Sequence, residues 1–462
     1  MSRLLKTKTT QLTLAMAMNM AIAVACNVAS ANPITGALGE TKPIIDVRAR
    51  YEMVDQDPPP AALTDKANAT TVRARLGAET GKAWSTALLA EGDFLTVIQD
   101  HYRSDPSVPG YAFYPVVADP EAYEVNRLQL TNTSITNTTI TLGRQRITLD
   151  DQRFVGNVGW RMNEQTFDAL RVVPKFLNNN LTVDVTYANR ANRIYGPDSP
   201  QGAYKGDIIL GNVAYQFRVG KLTGFAYFLD FDPITDFVTG AGLNATQKAG
   251  LNPARGSSET LGARFAGTYN ISKIKLAYSA SWANQKDYGS YKTSRPVGQQ
   301  DFSNDYYAAE VIGTYRQYSL GAGVENLEGD GVQGFQTPLA TLHKFQGWVD
   351  KFLSTPAKGI NDQYLTAGIT TKGIKPFETV SLSVMQHKYK STMDSLDLGE
   401  EFNIQLSAKY SRVTGTLKYG DYHIGTPLQL VANTGSGATL VNNAFSTLAD
   451  TKKFWAQLDF VW

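Results

Sequence analysis

The chain has 462 residues, of which 42% are hydrophobic and 19% charged, and 11% are aromatic. This balance excludes an intrinsically disordered chain and also a bundle of transmembrane helices. No stretch after residue 31 approaches the roughly 18 consecutive apolar residues that a membrane-spanning helix needs. The 39 glycines and 23 tyrosines are typical of a chain built mainly from strands and turns.

Residues 1–31 form a predicted secretory signal peptide. A basic, acid-free start precedes the apolar run LTLAMAMNMAIAVA, and ASA at its end is a small-residue cleavage site. The alternative is a lipoprotein-like box, AVAC at 23–26, which has alanine where a larger aliphatic residue is preferred. We expect cleavage after Ala31, which leaves a single domain, residues 32–462, and removes the only cysteine, Cys26. The mature chain therefore has no disulfide, cysteine-ligated zinc or cysteine nucleophile.

The mature chain carries almost no net charge. The full sequence has 44 lysines and arginines against 42 aspartates and glutamates. Because Arg3, Lys6 and Lys8 leave with the signal peptide, the net charge becomes about −1. Nothing at the level of the whole chain favours nucleic acid or another polyanion as a partner, so any cationic character must be local.

Amphipathic strands of about ten residues recur along the mature chain. Residues 45–54 (IDVRARYEMV) alternate apolar side chains with charged ones, and residues 71–79 (TVRARLGAE) repeat the pattern. Residues 260–283 and 307–325 each show two such segments joined by a tight turn. Since successive side chains of a strand point to opposite faces, each segment has one apolar face and one polar face.

Tight turns alternate with long connections. The tight turns are NNN at 178–180, VGK at 219–221, NISK at 270–273 and RQ at 316–317. The long connections, rich in Pro, Gly, Asp and Asn, are 102–121, 190–206, 231–258 and 284–305. Short turns at one rim and long loops at the other are typical of outer-membrane barrels. At roughly 24 residues per strand with its connection, the chain predicts an all-β, closed antiparallel transmembrane barrel of about 16–18 strands.

The final segment, KKFWAQLDFVW at 452–462, predicts the strand that closes this barrel. Its apolar face, Phe454 to Trp462 at every second residue, would meet lipid, and its aromatic end fits a membrane-interface girdle. A closed sheet has no free edge, so the last strand must pair with the first. The terminal aromatic resembles the one by which outer-membrane proteins are recognised by the barrel-assembly machinery. These features predict the outer membrane of a Gram-negative bacterium, with membrane lipid and lipopolysaccharide as partners.

Charged side chains on the polar faces are the predicted pore lining. Rings of arginine favour anions, and the guanidinium fork matches a carboxylate, so the arginines could form a selectivity ladder. The alternative is that they pair with acids across strands and merely fill the lumen. Arg144 shares the outward side of its strand with Leu142 and lines the pore only if a bulge or the strand end turns it inward. The predicted set is Arg48, Arg50, Arg73, Arg75, Arg127, Arg144, Arg171, Arg264, Glu79 and Asp93.

A second candidate element is HKFQGWVDKFL, residues 343–353. Its aromatic residues have roughly helical spacing, which predicts either a short amphipathic helix or a loop folded into the lumen. We interpret it as a plug or rim segment, with His343, Trp348 and Asp350 as its candidate functional residues.

Catalytic signatures are weak. The four histidines are scattered, and no metal-ligand spacing, cofactor motif or G-x-S-x-G motif accompanies them. A membrane-embedded hydrolase would need a Ser–His pair on neighbouring strands, and His387 within SLSVMQHKYKS is the best candidate. We predict that the chain is not an enzyme and needs neither metal nor cofactor.

Three stretches resemble the bacterial alginate-export family of outer-membrane barrels. They are the early strands RxRYE and RARLGAET, the run GRQR with a polar loop and the return strand TFDALR, and GDG followed by TPLATLHKFQGWVDKFL. The resemblance implies an 18-stranded monomeric barrel with an arginine-rich pore for an anionic oligosaccharide or polysaccharide such as alginate. The predicted function is passive transport of such uronates, because no nucleotide-binding loop is present. The alternatives are an outer-membrane hydrolase of lipid or glycan, and a diffusion porin of low specificity.

Overall fold

A computed structural model describes residues 32–57, 64–107, 113–234, 252–289, 292, 301–425 and 448–462. The predicted signal peptide and Cys26 lie outside the described residues. One short helix, α1 (Pro33–Gly39), precedes the strands, and the Asn32 side chain caps it by accepting a hydrogen bond from the backbone of Ile34. In the described part of the chain, no helix is both long and apolar enough to cross a membrane.

Within the residues that the structure describes, eighteen antiparallel strands form one closed sheet, which confirms the predicted fold class. The strands are β1 (Lys42–Asp57), β2 (Lys66–Glu79), β3 (Thr86–His101), β4 (Ala122–Asn132), β5 (Thr138–Gln145), β6 (Thr166–Phe176), β7 (Leu181–Asn192), β8 (Ala203–Phe217), β9 (Gly220–Phe231), β10 (Ser258–Ile271), β11 (Ile274–Asp287), β12 (Ser303–Tyr315), β13 (Tyr318–Leu327), β14 (Ile360–Thr371), β15 (Thr379–Lys390), β16 (Asp397–Tyr410), β17 (Val413–His423) and β18 (Asp450–Val461). Each strand pairs with its sequence neighbours, and β18 closes the barrel by pairing with β1 from Asp46↔Val461 to Asp57↔Asp450.

The hydrophobic alternation decides which face of each strand meets lipid. On β18, Leu458 and Trp462 are exposed on the outside, whereas Trp455 and Gln457 on the other face are buried in the barrel interior. The same division places Leu142 outside on β5. The predicted outward apolar face of the closing strand is therefore confirmed.

Turn lengths follow the prediction closely. Connections after even-numbered strands are short, as at β6–β7, β10–β11 and β12–β13, and most of those after odd-numbered strands are long, the six-residue β15–β16 connection being an exception. The β8–β9 turn lies at 218–219 and overlaps the predicted VGK only at Val219, because β9 already begins at Gly220. The start of β1, the end of β18 and α1 lie at the short-turn end, where the Gly81 N–H donates to the carbonyl of Ala37.

Two long connections fold into the barrel instead of away from it. We call them segment A, residues 146–165 between β5 and β6, and segment B, residues 328–359 between β13 and β14. They bind each other through the Gly156 N–H, which donates to the Leu339 carbonyl at 2.9 Å, and through the Thr341 N–H, which donates to the carbonyl of Gln152 at 3.0 Å. Their pairing creates a packed core inside the lumen.

That core joins both segments to the barrel wall. From the segments it takes Ile147, Leu149, Val155, Phe335, Leu339, Val349 and Phe352. From the wall it takes aromatic residues that include Phe167, Phe225, Tyr306, Tyr389 and Tyr422. Burying one such side chain contributes roughly 1.5–3 kcal/mol, so the segments are held as firmly as the centre of a soluble domain.

Candidate functional site: the barrel lumen

Three of the predicted arginines are buried between the wall and segment A. Arg75 on β2 lies 2.7 Å from Asp93 and 3.4 Å from Glu164. Arg73 contacts Asp46 and donates to the Met162 carbonyl. For these side chains, the structure matches the alternative in which arginines pair with acids and fill the lumen.

Arg50, the third of these arginines, is bound on all sides. Its Nε donates to Gln457 at 2.9 Å, its guanidinium lies 3.6 Å from Asp119, and it stacks on Trp160 with 4.1 Å between the guanidinium carbon and the ring centre. A guanidinium buried in this way can anchor segment A to the wall but presents little surface to a passing solute.

Glu164 is the main acidic partner contributed by segment A. It accepts hydrogen bonds from Arg146 at 2.5 Å, Asn126 at 2.7 Å and Asn157 at 2.8 Å. Burial acts to raise the pKa of Glu164, but Arg75 and Arg146 outweigh burial and lower the pKa to about 2. The carboxylate therefore remains ionised and keeps the arginine cluster neutralised over the whole physiological pH range.

Four other predicted arginines are partly exposed to the lumen, with 15% to 24% of each side chain accessible. Each has one acidic partner: Arg48 with Asp459 at 2.7 Å, Arg127 with Glu91 at 2.6 Å, Arg171 with Asp184 at 2.5 Å, and Arg264 with Asp151 at 3.0 Å. Their remaining nitrogens include Nη2 of Arg48 and Arg264 and Nη1 of Arg127 and Arg171, none of which makes a hydrogen bond to any described residue. These groups can still bind an anion in the lumen.

Arg144, by contrast, does not line the lumen. It pairs in register with the outward-facing Leu128 and binds Asp168 through two hydrogen bonds, of 2.7 and 2.9 Å, on the outer surface of the barrel. The irregular backbone of Gly143, with φ of 113°, leaves the alternation intact, so Arg144 stays on the side of Leu142. The prediction of Arg144 as a pore residue is wrong for this reason.

The remaining predicted acids occupy different places. Asp93 is fully buried and neutralises Arg75, as described above. Glu79 is exposed at the short-turn end of β2 and lies opposite Lys42 of β1 in the strand register. Glu79 therefore lies at the rim and apart from the arginine cluster.

A buried lysine forms the centre of the lumen's most unusual cluster. Lys418 of β17 is only 4% exposed, and its Nζ donates a 2.7 Å hydrogen bond to Nε2 of His343. Three tryptophan rings surround the ammonium at centroid distances of 3.8 Å (Trp348), 4.2 Å (Trp160) and 5.5 Å (Trp455). Each ring face attracts the cation, so this tryptophan cage joins the wall to both interior segments.

His343 connects the cage to a carboxylate. Its ring stacks on Trp160 with 4.5 Å between centroids and an interplanar angle of 4°, and its Nδ1 lies 2.8 Å from Asp350. Because Nε2 accepts from Lys418, Nδ1 carries the proton and the imidazole is neutral. Burial lowers the pKa of His343 to about 3, assisted by the Lys418 charge and opposed by Asp350. Asp350 in turn lies 2.9 Å from Arg161.

The predicted plug segment is thus a loop folded into the lumen, with a single 3₁₀ turn (Leu342–Lys344) where a longer amphipathic helix was the other possibility. Its backbone is fixed to the wall by Glu401 of β16, which accepts hydrogen bonds from the N–H groups of Trp348 and Val349 at 2.5 and 2.9 Å. Sequence reasoning missed Glu401, Lys418 and the tryptophans of the cage other than Trp348. Trp455 carried the one usable signal, since a large aromatic on the polar face of a strand needs a packing partner inside the barrel.

His387 does not form a Ser–His pair. Its Nδ1 lies 2.9 Å from Asp362, its ring stacks on Tyr389, and its Nε2 has no hydrogen-bond partner within the described residues. A hydrolase would require a serine hydroxyl at that nitrogen. Across the described ranges, no cluster of three or more His, Cys, Asp or Glu side chains is arranged to hold a metal ion.

Comparison with known proteins extends these observations at the level of the fold. No protein-family model matches the chain, and no curated protein matches it. Solved structures, in contrast, do match the chain. OccK9 (OpdG) of Pseudomonas aeruginosa is 14% identical with a TM-score of 0.63, and the match covers 92% of this chain and 99% of that one. The fold is that of an outer-membrane porin.

Two further structures give the same result. OpdK of Pseudomonas aeruginosa, solved with vanillate, is 11% identical with a TM-score of 0.61, covering 92% of this chain and 99% of that chain. A BenF-like porin from Pseudomonas fluorescens Pf-5 is 11% identical with a TM-score of 0.62, covering 92% and 100%. The closed barrel with its apolar outer band fits the predicted location in the outer membrane of a Gram-negative bacterium.

The resemblance to the alginate-export family is wrong. The similar structures are OccK, OpdK and BenF-like proteins, and none of them supports alginate or another polysaccharide as cargo. The motifs that suggested the family lie in β1, β2, the β5–β6 region and segment B, where lumen packing constrains the residues. Short basic and aromatic runs of this kind satisfy the interior of an 18-stranded barrel whatever its solute.

Proposed function

We propose that this chain is a passive outer-membrane channel for small organic carboxylates. The observation that carries the proposal is the set of four partly exposed lumen arginines, Arg48, Arg127, Arg171 and Arg264, each with a guanidinium nitrogen that makes no hydrogen bond to the described residues. A guanidinium in a confined lumen attracts anions and fits the planar carboxylate with two parallel hydrogen bonds.

The paired acids explain how such a channel releases its solute. Arg127 already binds Glu91 through two nitrogens, and Arg171 binds Asp184 in the same manner. A passing carboxylate competes with these fixed partners, so binding stays weak enough for the solute to leave. Conduction requires both favourable entry and ready exit.

The interior segments favour a small solute over a polymer. Segments A and B pack into the lumen so fully that Arg50 and Glu52 on the wall behind them are 2% and 0% exposed. Because this packing reduces the space left for a solute, it favours monomers over chains of hexuronates. OpdK, which shares the fold, was solved with vanillate, an aromatic monocarboxylate of this size class.

A flux measurement tests this function. We expect proteoliposomes carrying the channel to take up vanillate faster than vanillyl alcohol, which has the same ring but no carboxylate. Changing Arg171→Gln together with Arg264→Gln should lower vanillate flux about fivefold, since two partly exposed charges at roughly 0.5 kcal/mol each contribute about 1 kcal/mol together, and should leave vanillyl alcohol unaffected.

The matched control is Lys388→Gln, which removes a cation from the outward face of β15. It should leave both fluxes unchanged. Equal uptake of the two compounds by the unmodified channel would instead identify a diffusion porin of low specificity and refute carboxylate selection.

A further inference from the structure

An unusual patch lies on the outer, lipid-facing surface of β5 to β8, towards the long-loop rim. The backbone is irregular there on four successive strands. Gly143 and Gly206 adopt φ values of 113° and 125°, and the ladders contain register shifts at Asp168/Ala169 and at Ala188/Arg190. Bulges re-aim side chains and are enriched next to binding sites.

The irregular backbone opens a polar pocket of about 540 Å³ on the outside of the barrel. It is lined by Asp168, Asn189, Arg190, Lys205, Gly206, Asp207 and Asp232. Charged side chains on the lipid face cost up to roughly 2–4 kcal/mol at the bilayer midplane and near zero at its interfaces, so this group belongs at the head-group level. Two cationic side chains, Arg190 and Lys205, line the pocket. Arg144 neutralises Asp168 through two hydrogen bonds.

An apolar groove of about 680 Å³ continues directly from the polar pocket, because Asp168 and Asn189 line both. Its walls include Val125, Leu128, Leu142, Leu170 and Tyr187. The groove runs where Gly143 and Ala169 leave space between larger outward side chains. A charged pocket joined to an apolar groove on a lipid-facing surface matches an amphiphile with a polar head and a hydrocarbon chain.

We propose that this patch binds a phosphorylated, acylated sugar lipid of the lipopolysaccharide type. Arg190 and Lys205 would bind its phosphate. Asn189 and the carboxylates of Asp207 and Asp232 would accept hydrogen bonds from its sugar hydroxyls, and the groove would hold an acyl chain. The mixture of cations with acids and an amide fits a sugar phosphate better than a bare phosphate, for which the acids would be repulsive. The site is independent of what the lumen transports.

Native mass spectrometry of the detergent-purified mature barrel tests the site. The added lipids are lipid A with two phosphates, the same lipid A after dephosphorylation, and phosphatidylglycerol, which has a phosphate and acyl chains but no amino sugar. We expect lipid A to bind at least fivefold more tightly than either of the other two. Equal binding of lipid A and phosphatidylglycerol would overturn the proposal, and so would binding that survives dephosphorylation.

Two variants test whether lipid A binds at this patch on the barrel surface. The double change Arg190→Ala and Lys205→Ala should abolish the preference for lipid A. The control, Lys388→Ala with Lys390→Ala, removes two outward cations at the same rim on β15 and should preserve it. An equal loss in both variants would mean non-specific charge attraction and would refute the site. The comparison of lipids on the unmodified protein stands even if a variant fails to fold.

Discussion

Lys418 shows how a single residue can organise a lumen. A buried ammonium is costly unless its surroundings replace water, and here three ring faces and one imidazole nitrogen do so. The alternative of a hydrophobic residue at this position would leave His343 Nε2 without a donor. The lysine therefore stabilises the contact between β17 and both interior segments.

Replacing Lys418 should loosen that contact. We expect Lys418→Met to lower the free energy of unfolding by roughly 2–4 kcal/mol, because the ring contacts are lost and a buried acceptor is left unsatisfied. Urea titration followed by tryptophan fluorescence measures the change, since the affected rings are reporters. Lys409→Met, at an exposed position of β16, is the matched control and should shift the midpoint little. Equal stability of Lys418→Met and the control would show that the tryptophan cage does not stabilise the barrel.

His343 makes the contact between β17 and the two interior segments sensitive to acid. Its pKa is about 3 in the folded barrel and near 6.5 in the unfolded chain. The unfolded state therefore takes up a proton first, so stability is full above pH 6.5 and declines as the pH falls towards 3. The charged groups facing it are Asp350, Arg161, Lys418, Lys453 and Arg50. Asp350, whose pKa is also lowered, adds a loss of the same sign below about pH 4.

The test is the unfolding midpoint measured between pH 7 and pH 3.5. We expect the native chain to lose stability across this range and His343→Gln to lose clearly less, because glutamine can both donate to Asp350 and accept from Lys418 without titrating. Parallel decline in the two proteins would show that other groups control the acid response.

At the scale of elements, strands were predictable and the interior segments were not. A strand that separates lipid from lumen must alternate, and β1, β2, β10, β11 and β18 can be located from that pattern alone. Segments A and B have no period, since their side chains pack in several directions at once. Their place inside the barrel depends on contacts such as that of Glu401 with the Val349 backbone, which join residues far apart in sequence.

The candidate site, too, could be predicted from the sequence only in part. Alternation put Arg48 and Arg264 on the lumen face, but alternation says nothing about burial, which separates these accessible arginines from Arg50 and Arg73. Burial is decided by segment A, which covers part of the wall only. Arg144 lies two residues from the outward-facing Leu142, so the alternation of side chains indicated the outer face of the barrel. The prediction of a pore role for Arg144 disagreed with that alternation.

Segment B offers a prediction for a whole element. Replacing residues 340–350 by a glycine–serine linker of equal length should remove the cage and the Glu401 contact while leaving the closed sheet intact. The flexible linker cannot pack, so single-channel conductance should rise several-fold with increased current noise. A glycine–serine replacement of residues 373–377, in the β14–β15 connection at the opposite rim, should not change conductance. Unaltered conductance after the change in segment B would show that this segment does not limit the pore.

For the whole molecule, the closed sheet, the packed lumen and the balanced charges support the proposal of a selective, passive channel. A barrel of 18 strands leaves room for water, and two folded-in segments reduce that room. The chain is nearly neutral, with 44 lysines and arginines against 42 aspartates and glutamates, so the proposed selectivity must come from local, partly exposed arginines and not from net charge.

The most direct test of this account is the reversal potential of the reconstituted channel under a gradient of potassium vanillate in a planar bilayer. We expect a potential that reports vanillate as more permeant than potassium, and a reduced preference in the double change Arg171→Gln and Arg264→Gln. A reversal potential at the potassium equilibrium value would show that the lumen arginines do not select small carboxylates.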